Sequence, residues 1–99
     1  AGHYRQALER APGDPEATRG LAESLRELKR HDEALGVLDP YLARREGDAR
    51  ALRVRAGCLQ ALGRAEEAAA DLDRVLALEP GDAEARRDRA AIDLAARGA

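Results

Sequence analysis

Three Gly-Asp steps punctuate this chain, at Gly13-Asp14, Gly47-Asp48 and Gly81-Asp82, each 34 residues after the one before. A fixed period of that length marks a chain built from copies of one supersecondary unit, none of which can bury its apolar face without a neighbour. Sliding the sequence by one period superposes Leu28-Lys29-Arg30-His31-Asp32-Glu33-Ala34 on Leu62-Gly63-Arg64-Ala65-Glu66-Glu67-Ala68. It also aligns Tyr4, Leu38 and Leu72 in one column and Leu8, Leu42 and Leu76 in another.

Inside each period the apolar residues follow helical spacing, as in Leu21, Leu25, Leu28 and in Leu52, Leu59, Leu62. Aromatics are 2% of the chain, and Phe, Trp and Met are absent, so the core must come from Ala, Leu and a few β-branched residues. Ala and Leu are strong helix formers, and Ala lets backbones approach closely, so the fold class is all-α. The pattern predicts helices over 2–10, 16–29, 32–45, 49–62, 66–78 and 83–96. Asp14, Asp48 and Asp82 are placed to cap the helices that follow them. Pro40 should bend its helix, because proline lacks a backbone donor and crowds the carbonyl four residues back, here that of Gly36. The expected organisation is one domain over 1–99: a second helix of a truncated repeat at 1–14, repeats at 15–48 and 49–82, and a capping helix at 83–99. That last helix carries Arg86, Arg89 and Asp93 where large apolar residues stood before, yet keeps Ala85 and Ala90 to face the preceding repeat.

A helix-turn-helix unit of this length resembles the tetratricopeptide repeat, whose pattern is W-x2-L-G-x2-Y, then A-x3-F, then P. Its small slot holds Ala22, Ala56 and Ala90, its second-helix alanine Ala34 and Ala68, and its aromatic slot Tyr4, Leu38 and Leu72. The closing proline is Pro12 and Pro80, with Glu46 between them, and the Trp slot holds Thr18, Leu52 and Arg86. The resemblance implies a right-handed α-solenoid that acts as a protein-interaction scaffold. The chain opens without Met, and Tyr4 and Leu8 would lie on a helix with no first helix to cover it. Both features suggest a fragment of a longer array and a surface for another copy or another chain.

Catalysis finds little material. Ser24, Thr18, Cys58, His3 and His31 are scattered over separate elements, whereas a nucleophile needs a base and an orienting group within hydrogen-bond reach. Cys58 beside Leu59 reads as a small buried thiol, and His31, in a column shared with Ala65, as a solvated turn residue. Metal-ligand spacings and phosphate loops are missing, so no catalytic, metal or cofactor residue is expected. The charge of −2, spread over a chain that is 36% charged, gives no basic footprint for nucleic acid. No apolar run approaches the ~18 residues of a membrane span. The abundance of Arg and Ala suggests a bacterial gene, and the compartment stays open, with cytoplasm as the default.

In the family it resembles, the concave groove is lined by the first helix of each repeat. Carried onto this sequence, that face holds Glu16, Arg19, Glu23 and Arg26, then Arg50, Arg53, Gly57 and Gln60, then Glu84, Arg87, Ala91 and Leu94. Arg19, Arg53 and Arg87 form an arginine column. One reading is a ladder for an acidic or C-terminal peptide, since the guanidinium fork matches a carboxylate. The other is a solvated face in which Glu16, Glu23 and Glu84 pair with Arg19, Arg26 and Arg87 three residues on. Arg50 and Arg53 lack an acid at that spacing and stand out as the least neutralised. The chain has no Asn and only Lys29, which argues against the family's Asn/Lys carboxylate clamp. Regulation of a larger enzyme in cis is the alternative function. Helical-repeat RNA binding fits the period but neither the charge nor the side chains.

One column pair changes in step. Leu21 and Val37 of the first full repeat become Arg55 and Asp71 in the second, which predicts an ion pair joining the two helices.

Overall fold

The computed structural model describes residues 14–98, which form α1 (Pro15–Glu27), α2 (His31–Arg44), α3 (Ala49–Ala61), α4 (Ala65–Leu78) and α5 (Ala83–Gly98). The expected helix over 2–10, with Tyr4 and Leu8, lies outside the described residues. The other five helices stand where the periodicity places them, with ends shifted by two residues or fewer.

The period is visible in how each helix begins. Asp14, Asp48 and Asp82 each accept a hydrogen bond from a backbone N–H three residues on: Ala17 at 2.7 Å, Ala51 at 3.1 Å and Ala85 at 3.0 Å. A carboxylate there satisfies an orphan donor and meets the positive end of the helix. Pro15 adds a preset φ at the start of α1.

The turns between paired helices use a different device. After α1, Arg30 N–H bonds Leu25 carbonyl at 2.8 Å and Lys29 N–H bonds Arg26 carbonyl at 2.9 Å. After α3, Arg64 bonds Leu59 at 2.8 Å and Gly63 bonds Gln60 at 3.0 Å. This crossed pair of bonds needs a left-handed residue at its centre. Gly63 adopts φ 78° freely, whereas Lys29 adopts φ 61° with a Cβ in the way.

Neighbouring helices pack in chain order, and α1 also touches α3, so first helices line one side and second helices the other. The core is Leu21, Leu25, Leu38, Leu52, Leu72 and Val75, with Ala22, Ala34, Ala56 and Ala68 wholly or almost wholly buried at the close approaches. Thr18 is 2% exposed, so the slot that departs from the repeat pattern is still a core position.

One expectation needs correction. Ala85 is buried against the preceding repeat, but Ala90 is exposed, because that slot faces a second helix and none of the described residues lies there. Pro40, where a bend is expected, lies inside α2, which runs on to Arg44.

Candidate binding groove

The first helices present a concave cavity of about 430 Å³. Glu23 and Arg26 reach it from α1, Arg50, Arg53, Val54 and Gly57 from α3, and Glu84 and Asp88 from α5, with His31 at one end. Glu16, Gln60 and Arg87 do not line it. Arg19 borders a separate hollow of about 690 Å³ at the turn between repeats, with Tyr41, Arg45, Asp48 and Leu78.

Two members of the arginine column are tied down, while Arg87 is exposed. Arg19 donates to Asp48 at 2.7 Å, and Arg53 donates to Asp82 at 2.7 Å and to Glu79 at 3.0 Å. Each therefore crosses to the aspartate that caps the first helix of the next repeat. The expectation that Arg53 is poorly neutralised is overturned, since it holds two carboxylates. Arg50 stands 3.8 Å from Glu23, so it is not free either. The pairs expected three residues apart along the first helices do not form among the described residues: Arg19 turns to Asp48 and Glu23 to Arg50, each across a repeat boundary. The signal was present: Arg19 to Asp48 and Arg53 to Asp82 are both offsets of 29 residues, a spacing outside helical neighbour rules.

These staples alter the groups they join. The Asp48 hydrogen bond raises Arg19, against desolvation. Burial pushes the Asp48 carboxyl up, but hydrogen bonds from the Tyr41 hydroxyl, the Ala51 N–H and Arg19 outweigh it and hold the group below its usual range. Burial raises the Tyr41 phenol as well, and Arg45 lies over its ring at 5.9 Å. For Asp82, the Ala85 N–H leads the downward shift and Arg53 adds to it.

Arg55 and Asp71 meet as a fork. The Arg55 Nε donates to one Asp71 oxygen and Nη2 to the other, both at 2.8 Å, and Nη1 reaches Asp39 at 3.3 Å. The Asp71 hydrogen bond is the main reason the Arg55 guanidinium holds its proton more tightly than usual. Arg89, one period on, bonds Asp73 at 2.9 Å and Asp93.

Arg26 is the exception among these arginines. It is exposed, makes no ion pair among the described residues, and lies across Gly57, with Nη1 only 2.8 Å from where a Cβ would stand. Any other residue at position 57 would displace it. Sequence reasoning placed both residues on the groove face but missed their contact. His31 is likewise not the solvated turn residue expected. It begins α2 half-buried, and its Nδ1 is shut from solvent without a hydrogen-bond partner among the described residues. Cys58 is fully buried and burial raises its thiol, with Arg26 opposing weakly. No cluster of three metal-ligating side chains occurs among the described residues, and no helix there is long and apolar enough to cross a membrane.

A sequence model of the tetratricopeptide repeat matches residues 1–58, more than half of the chain. The chain belongs to the tetratricopeptide repeat family. Curated protein sequences give no match. Among solved structures, this tetratricopeptide-repeat chain is similar to the first TPR of Spaghetti (RPAP3) bound to the HSP90 peptide SRMEEVD. Identity is 28% and the TM-score 0.91, over 95% of this chain and 75% of that one. The first TPR domain of human RPAP3 is 27% identical, with a TM-score of 0.89 over 96% and 75%. A MamA RS-1 double mutant shares the fold at 18% identity, with a TM-score of 0.86 over 95% and 53%. The family relationship makes this chain a protein-interaction module.

Proposed function

We propose that this repeat module binds an extended peptide segment in its concave groove, with an acidic side chain of the ligand against Arg26. The observation that carries the reading is Arg26: the guanidinium lies over Gly57 in the cavity with no carboxylate paired to it among the described residues. A carboxylate can meet it there as a charge-assisted fork. The solved relative at 28% identity, whose peptide SRMEEVD carries several acids, gives further support. Arg19 and Arg53 hold the repeats in register, and Glu16, Gln60 and Arg87 form the outer parts of the same face. The boundaries at 15–48 and 49–82 follow the aspartate caps, and α5 exposes most of its residues.

The test is Gly57→Leu. A side chain at 57 fills the groove floor and displaces only the mobile tip of Arg26, while leucine suits a helix better than glycine. Peptides selected from a random nonapeptide library on the unaltered chain should lose about tenfold in affinity, roughly 1.4 kcal/mol, with no loss of thermal stability. Unchanged binding by fluorescence anisotropy would sink the groove reading.

A further inference from the structure

The two walls of the groove carry opposite unused charge. On the α1 side stands Arg26, without an ion pair among the described residues. On the α5 side stand Glu84 and Asp88, one helical turn apart on one face, also without a cation among the described residues. Asp88 is half-buried and occupies the slot filled by Val54 in α3 and Gly20 in α1, so an acid replaces a neutral residue just where the cavity ends. The cations between the walls are engaged: Arg53 by Asp82 and Glu79, Arg50 by Glu23. A uniformly acidic ligand would therefore meet Arg26 well and be repelled by α5.

We infer that the segment recognised is bipolar, an acidic side chain seated at Arg26 and a basic one at Glu84 and Asp88. This rests on the groove reading above and specifies its ligand. The spacing follows from the fold. The Arg26 guanidinium already lies on α3 at Gly57, so one inter-helix step, on the order of 10 Å, separates it from the acids of α5. An extended chain rises roughly 3.3 Å per residue, which puts the acid and the base about three residues apart. Either backbone direction satisfies this order, because side-chain charges set it.

Selection of a random nonapeptide library on the 99-residue chain tests it. Peptides with one Asp or Glu and one Lys or Arg at that spacing should be enriched up to about fivefold per ion pair over single-sign peptides. In Glu84→Lys combined with Asp88→Lys, the basic position of the selected peptides should turn acidic. In Arg26→Glu, the acidic position should turn basic. Selection of peptides with acids at both ends on the unaltered chain, or no change of preference in either variant, overturns the bipolar reading. If enriched peptides bind Gly57→Leu as well as the unaltered chain, or none is enriched, the groove reading itself fails.

Discussion

The fork between Arg55 and Asp71 allows an asymmetric prediction. Asp71 is the more deeply placed member, its side chain 4% exposed against 17% for Arg55, and its only side-chain partner among the described residues is that guanidinium. Arg55 has a second acid, Asp39, which is itself 60% exposed. Breaking a buried pair from one side costs about 3–5 kcal/mol, because a charge is left without its partner. Arg55→Leu should fall near the upper end, since it strands the buried carboxylate. Asp71→Val should fall near the lower end, since the guanidinium can lean on Asp39 and reach water. The double variant Arg55→Leu with Asp71→Val recreates the Leu21 and Val37 couple of the preceding repeat and should lie within about 1 kcal/mol of the parent. Urea unfolding followed by circular dichroism gives all three values. Losses that simply add in the double variant, or Asp71→Val costing more than Arg55→Leu, would refute the reasoning.

Two further changes follow from the backbone and from titration. Lys29→Gly relieves a left-handed residue and should stabilise by about 1 kcal/mol, and Gly36→Ala, where a Cβ meets nothing, should add roughly 0.5–1 kcal/mol; differential scanning calorimetry should show a higher Tm for each. Asp48 and Asp82 are depressed below the ordinary 3.8, so their stabilising contribution is intact above that pH and drains as pH falls through the folded values. Asp48→Asn should be less stable at pH 7 but lose less on acidification below about pH 4, and parallel stability curves for parent and variant would contradict this.

Much of the fold was legible because one period constrained several columns at once. The aspartate caps, the helix ends and the Arg55 and Asp71 contact all come from comparing repeats, which reports on neighbours in space. The charge network was misread where a rule for one helix was applied to a stack. Glu16 and Glu23 are at helical spacing from Arg19 and Arg26, but Arg19 reaches instead to Asp48, and Glu23 to Arg50. Nothing in the periodicity reveals that Arg26 lies on Gly57, since that contact depends on which rotamer the open groove permits. Similarly, Ala90 matches Ala22 and Ala56 as a letter, but only a neighbouring helix can bury it.

The aspartates at the repeat starts have a consequence for how the array comes apart. Asp48 holds the first turn of α3 and at the same time accepts from Arg19 of α1 and Tyr41 of α2. Initiating a helix and coupling it to its predecessor are therefore one event, performed by one carboxylate. In a linear array where stability is a sum of unit and nearest-neighbour terms, such a residue correlates the two terms. A unit that frays at its cap also releases its neighbour, so opening should travel in steps of whole repeats, and a few charged atoms would set the length of the cooperative block.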